Sequence, residues 1–255
     1  MRREVNKRRE AAARRETIPL VSDDAAGPAA PSRTGFLPVF DRLHAAYGPQ
    51  HWWPGETPFE VMVGAILTQN TAWSNVERAI AVLKEQDALD AGRLLTARPA
   101  TVARWIRPAG YFNVKAKRLR NFCRWYLAQG GHAALARQAT DVLRHGLLSV
   151  NGIGPETADD ILLYAFGRPV FVIDAYTRRL FSRLGLPLAE AGYEHLRATI
   201  ERGVAHELGR AHTRRGLAPL YNEYHALIVA HAKHACRVRP RCAQCALTDL
   251  CPGRQ

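Results

Sequence analysis

No apolar run in this 255-residue chain approaches the ~20 residues needed to cross a bilayer. The N-terminus lacks the apolar core of a secretory signal, so the chain is expected in the cytoplasm, associated with the nucleoid, and away from membranes. Acidic residues are few: 23 Asp and Glu stand against 36 Lys and Arg, a net charge of +13. That surplus points to a polyanionic partner, nucleic acid ahead of acidic membrane; mere solubility or a basic tail is the plainer alternative. Strand patterning is nearly absent. The one strand-like run, Val170–Ile173, is short and isolated, which argues against a sheet. No repeat of solenoid period is present. Cysteine is sparse too, and four of the five (Cys236, Cys242, Cys245 and Cys251) crowd into the last 20 residues. In an intracellular protein such crowding favours metal ligation over disulfides.

What is there reads as helix. Residues 1–33 form a basic tail expected to be disordered: seven basic residues lie between Arg2 and Arg15, and an Ala, Gly and Pro-rich stretch follows. The tail either adds non-specific DNA affinity or only solubilises. From Phe36 on, apolar residues recur at helical spacing. Phe59–Leu67 has the character of a buried helix; Asn75–Leu83, Val102–Ile106, Tyr111–Leu127, Asp141–Leu148, Thr157–Phe166, Tyr193–Val204 and Leu217–Ala232 are further helices. The expectation is an all-α fold of about ten helices with short connections.

The segment Leu148-Ser-Val-Asn-Gly-Ile-Gly-Pro-Glu-Thr-Ala-Asp159 joins two helices through a turn containing Gly152 and Gly154. Pro155 suits the first position of the second helix. Glycine lets backbone approach a phosphate closely, and the free N–H groups opening the helix then point at it. Such a clamp positions DNA without reading a base. Further on, Val172-Ile-Asp174-Ala-Tyr-Thr-Arg-Arg-Leu180 places an acidic residue at a helix start, after the Gly/Pro loop Gly167–Val170. By itself Asp174 reads equally well as a plain N-cap.

Together these segments resemble the helix-hairpin-helix DNA glycosylases, the HhH-GPD superfamily of endonuclease III, over about residues 35–251. The resemblance implies a two-lobed helical fold with a C-terminal iron–sulfur loop: a core over 34–235, with its six-helix part at about 57–168 and a second lobe from the two ends, then the cluster loop at 236–255. It makes Asp174 the catalytic carboxylate, which stabilises the positive charge that develops on the sugar as an N-glycosidic bond breaks. Ile66-Leu-Thr-Gln-Asn-Thr71 and Gly110–Lys117 match the family's wedge segments. They make Gln69 and Tyr111 candidates to fill the gap left by a flipped nucleotide, or else ordinary helix-end residues.

Two departures narrow the reading. Where bifunctional members carry the Schiff-base lysine, Glu156 stands; a carboxylate forms no imine, which implies a monofunctional glycosylase using water. Glu156 is also simply a favourable anion in a first helical turn. His51-Trp-Trp-Pro54, with Thr68–Trp73 and Arg107–Asn113, is similar to the 3-methyladenine DNA glycosylase branch. There Trp52, Trp53, Pro54 and Trp73 would line an aromatic pocket for a cationic alkylated purine; alternatively Trp52 and Trp53 are core residues. Oxidised-pyrimidine or uracil glycosylases and a non-catalytic damage-binding relative remain as other readings.

The spacing Cys236-x5-Cys242-x2-Cys245-x5-Cys251 suits one tetrahedral zinc or a cubane. The resemblance selects a [4Fe–4S] cluster, although the first loop is one residue shorter than the family's. Arg237 and Arg239 in that loop are candidates to meet phosphates. Cys123, mid-helix, is expected to be a buried bystander. The implied partner is double-stranded DNA holding a damaged base, bound by a monomer.

Overall fold

The computed structural model describes residues 35–186, 191–209 and 216–253. The basic tail expected over 1–33 lies outside them. The described residues form helices joined by turns and irregular loops, with no strand among them. In order the helices are α1 (Phe36–Tyr47), α2 (Pro58–Leu67), α3 (Trp73–Glu85), α4 (Ala91–Thr96), α5 (Pro99–Trp105), α6 (Phe112–Ala128), α7 (Gly131–Leu135), α8 (Thr140–Leu148), α9 (Pro155–Asp160), α10 (Ala175–Arg183), α11 (Tyr193–Leu208) and α12 (Leu217–His234).

Helix α2 shows how local chemistry sets position. Thr57 caps it by accepting from the Glu60 amide at 3.1 Å, and Pro58 fills its first position. Every residue from Glu60 to Leu67 is buried, at about 1.5–3 kcal/mol for each large apolar side chain. Glu60 is the exception to that apolar face, and Lys84 offsets its charge at 3.0 Å. Around α2 one apolar cluster gathers side chains from Val61 to Val170. A second joins Phe36, Val39 and Leu43 of α1 to Phe171, Phe181, Ile200, Tyr224 and Ile228. Gly203 of α11 is needed there, because a Cβ would stand 2.0 Å from the Phe36 ring. The α1 amides of Phe36 and Leu37 find their cap in Glu207, at 2.8 and 2.7 Å.

One segment differs from expectation. The helix anticipated over Thr157–Phe166 is α only as far as Asp160; a π turn, Ile161–Ala165, completes it. Wide turns of this kind often mark functional positions. Val170–Ile173 is buried and pairs with no strand among the described residues. The Phe171 amide donates instead to Glu201 Oε1 at 2.9 Å, and the Ile173 amide to the Tyr193 hydroxyl at 3.4 Å. Side chains of α11 thus do what a neighbouring strand would otherwise do.

Candidate active site and DNA-facing surface

Asp174 caps α10. Its Oδ1 accepts from the Thr177 amide at 2.7 Å, and its Oδ2 lies 3.5 Å from His225 Nε2 on α12. The side chain is 14% exposed. Burial raises its pKa, but His225, by contact and charge, and the Thr177 hydrogen bonds outweigh burial and hold the carboxyl below its ordinary value. Capping and site-building are therefore one arrangement.

Three further carboxylates stand on α9. Asp159, fully buried, is gripped by Arg144 at 2.6 Å and approached by Arg197 at 3.8 Å. Asp160 is buried, and burial followed by the charges of Glu156 and Asp174 pushes its pKa well up. Glu156 opens the helix with its side chain open to solvent. Desolvation by its surroundings, then the Asp174 charge, raises its pKa, while His225 and Arg178 pull the other way. Given the exposure, the Asp174 charge is the firmer of these causes.

The hairpin between α8 and α9 turns at Gly152, whose φ of 102° and close approach to Arg118 (2.4 Å from an added Cβ to Cγ) both require glycine. Gly154 is extended, with nothing within 4 Å of its would-be Cβ. Gln69 sits on this hairpin: its amide donates to the Gly152 carbonyl at 3.0 Å and to Thr157 Oγ1 at 2.9 Å, and Arg118 bonds its oxygen. Tyr111 precedes α6 in a left-handed conformation and is 71% exposed. Of the two wedge candidates, Tyr111 projects outward and Gln69 is held back.

The structure brings Trp52, Trp53 and Trp73 together. The Trp53 ring meets Trp73 edge-on at 4.9 Å and Tyr164 at 5.0 Å; Trp52 lies 5.8 Å from Trp53 and 6.2 Å from Trp73. Lys233 sits 5.8 Å over the Trp52 ring. Pro54 is exposed. The Trp52 and Trp53 indole nitrogens are buried without a hydrogen-bond partner, while Trp73 Nε1 donates to Glu77 at 2.7 Å. Two surface hollows, of about 390 and 560 Å³, are lined by none of these tryptophans or carboxylates. The second carries Lys117, Arg120 and Arg124 on its wall.

All five cysteines are free thiols. Cys123 is buried, and burial pushes its pKa to about 12, so it is inert packing. The C-terminal loop folds onto Arg183, which donates to Cys236 Sγ at 3.3 Å, to the Arg237 carbonyl at 2.6 Å and to the Val238 carbonyl at 2.9 Å. Cys251 Sγ donates to the Arg183 carbonyl at 3.4 Å. Burial raises the Cys245 pKa, and the charges of Cys236 and Cys251 raise it further. Among the described residues no three His, Cys, Asp or Glu side chains converge as ligands of one ion. The donor set is nonetheless all sulfur, free of disulfides and anchored by a cation, which fits a thiolate-ligated metal centre. Arg237 and Arg239 are exposed.

His225, Tyr164 and Asp160 lay outside the residues singled out by sequence. Each sits in a run that reads as apolar helix, and only the polar residue inside such a run marks it. Tyr164 lies in the π turn, and its hydroxyl pairs with His225 Nδ1. A continuous set of contacts therefore runs from Trp53 through Tyr164 and His225 to Asp174.

Comparison with known proteins fits this architecture. The HhH-GPD superfamily base excision DNA repair protein model matches residues 63–206, and the chain belongs to that superfamily. A Methanocaldococcus jannaschii protein provisionally named a DNA repair glycosylase is 46% identical over 216 residues, covering 84% of this chain and 94% of its own. The H. pylori 3-methyladenine DNA glycosylase bound to 1,N6-ethenoadenine is 32% identical, with a TM-score of 0.66 over 77% of this chain and 94% of that one. An endonuclease III–DNA complex shares the fold at a TM-score of 0.70, with 19% identity over 84% of this chain and 92% of its own.

Proposed function

We propose that the chain is a monofunctional DNA glycosylase that hydrolyses the N-glycosidic bond of an alkylated purine, such as 3-methyladenine, flipped out of duplex DNA. The observation that carries this reading is Asp174, an ionised and largely buried carboxylate at the start of α10, with Glu156 rather than lysine opening α9 beside it. Water adds to C1′ as the bond to the base breaks. The bonding pair leaves with the base, which is already cationic through methylation and so departs neutral. The proton shed by the water passes to a carboxylate or to solvent. Asp174 stabilises the charge that develops on the sugar. Without an amine in place of Glu156, no imine forms and the strand stays intact.

The tryptophan cluster supports the choice of base, since indole faces attract cationic rings; so does the likeness to the H. pylori 3-methyladenine enzyme. Gly152, Gly154, Tyr111, Gln69, Arg237 and Arg239 would hold the DNA, bound by a monomer. Cys236, Cys242, Cys245 and Cys251 would hold a [4Fe–4S] cluster, which when bound supplies a structural crosslink for the C-terminal loop.

The test is base release from methylated duplex DNA, followed by chromatography with and without borohydride. Free 3-methyladenine, no trapped adduct and nicking only after alkali are expected. Asp174→Asn should lose most excision while keeping or improving DNA affinity, because a negative charge facing phosphates is gone. Release only from thymine glycol or uracil substrates would replace the lesion, and no release at all would favour a damage-binding protein.

A further inference from the structure

Asp174 spends Oδ1 on its cap, so Oδ2 is the oxygen left for chemistry, and His225 is the group that meets it. His225 is 5% exposed and comes from the middle of α12. Its Nε2 has no hydrogen-bond partner among the described residues and stands 3.5 Å from Oδ2, a loose contact able to tighten when substrate packs in. On the other side of the ring, Nδ1 pairs with the Tyr164 hydroxyl.

That pairing decides the tautomer. A buried phenol keeps its proton, so with neutral imidazole the Tyr164 O–H donates to Nδ1 and the ring hydrogen sits on Nε2. With imidazolium, Nδ1–H donates to the phenol oxygen and Nε2 again carries hydrogen. The remaining tautomer would aim a bare Nε2 lone pair at a carboxylate, which is repulsive. In both favoured states Nε2–H faces Asp174.

We propose that His225, set by Tyr164, is a positioning residue for the Asp174 carboxylate, its Nε2–H fixing Oδ2 in the orientation used in turnover. The proposal rests on the glycosylase reading for its consequence in turnover, though the pairing itself does not. It also answers a local problem. From α9, Glu156 and Asp160 face Asp174 with like charge. On its own helix Asp174 has the Thr177 amide, and Arg178 acts on Glu156. His225 is the ring from α12 that opposes those acids at Oδ2.

The experiment pairs carboxyl carbon-13 NMR titration of Asp174, assigned by its loss in Asp174→Asn, with single-turnover excision across pH for wild type, His225→Ala, His225→Gln and Tyr164→Phe. In His225→Ala the Asp174 titration and the acid limb of excision should move together to higher pH. The rate should fall roughly ten- to a hundredfold, the size of one hydrogen bond to a charged group, with DNA affinity unchanged. His225→Gln, which retains a donor, should recover part of the rate, and Tyr164→Phe should give a smaller change in the same direction. An unmoved Asp174 titration in both His225 variants overturns the proposal whatever the activity. So does a rate loss accompanied only by a lower melting temperature. A shifted titration in a protein that releases no base from methylated DNA would sink the glycosylase reading and leave the pair standing.

Discussion

Lys115 Nζ donates to the Leu67 carbonyl at 2.8 Å, from a side chain only 1% exposed. A second bond of 2.8 Å runs to the Ala109 carbonyl. One ammonium thus closes the end of α2, just before Gln69, and the turn that leads into Tyr111. The cation satisfies carbonyls at a helix C-terminus that would otherwise be orphaned.

Burial, then the positive charge of Arg118, lowers the Lys115 pKa from 10.5 to about 8. Between those values the unfolded chain holds a proton that the folded one has released, so stability rises as pH climbs through the window. Below about 8 both states are charged and the burial cost is felt in full. Denaturant unfolding from about pH 7.5 to about pH 10 should show wild type gaining on Lys115→Met, which lacks the titration. Parallel curves would mean the ammonium is not buried as described.

The hairpin glycines should separate fold from binding. Gly152→Ala meets both a positive φ and Arg118, so it should lose about 1–3 kcal/mol of stability along with DNA affinity. Gly154→Ala enters open space at an ordinary backbone angle. It should unfold within about 0.5 kcal/mol of wild type yet bind duplex more weakly, because in the proposed binding mode its methyl would stand where a phosphate approaches. Unchanged affinity in Gly154→Ala would remove that close approach from the binding model.

Trp53 packs on Trp73 and Tyr164 and, in the proposed function, also faces the base. Trp53→Ala should therefore cost stability, up to about 3–5 kcal/mol, and Trp53→Phe, which keeps a ring against Tyr164, should cost less. The decisive quantity is selectivity. Loss of the indole should hurt excision of cationic 3-methyladenine more than of neutral hypoxanthine, by a cation–π contribution of about 0.5–2 kcal/mol. Equal losses on both bases would leave Trp53 as core alone.

The cysteine loop makes a spectroscopic prediction. Anaerobically purified protein should be brown, with broad absorbance near about 400 nm from thiolate-to-iron charge transfer. Cys242→Ser should bleach it and loosen the segment docked on Arg183. A colourless protein carrying one zinc per chain would overturn the iron–sulfur assignment.

Much of this was legible in the sequence because its signals are local. Helical spacing announced α2, α3, α6 and α12, and the Gly152–Pro155 punctuation announced the hairpin. The π turn was not legible, since an apolar run looks the same whether its carbonyls meet the fourth or the fifth amide beyond. His225 was hidden for a related reason. A histidine inside Leu217–His234 becomes informative only when folding brings it to Asp174, 51 residues back along the chain. The Trp52–Trp53 pair was plain as aromatics, but its contact with Tyr164 depends on long-range packing. Gln69 shows the opposite case: its place in the motif was readable, while its three bonds to the hairpin and Arg118 were not.

One nine-residue helix, α10, carries Asp174 at its head and Arg183 at its foot. At 1.5 Å per residue the two lie roughly 14 Å apart on a stiff rod. Arg183 grips the cysteine loop, so one helix carries both the anchor of that loop and the cap position of Asp174. Loosening the loop would therefore reach Asp174 through this helix as well as the DNA through Arg237 and Arg239.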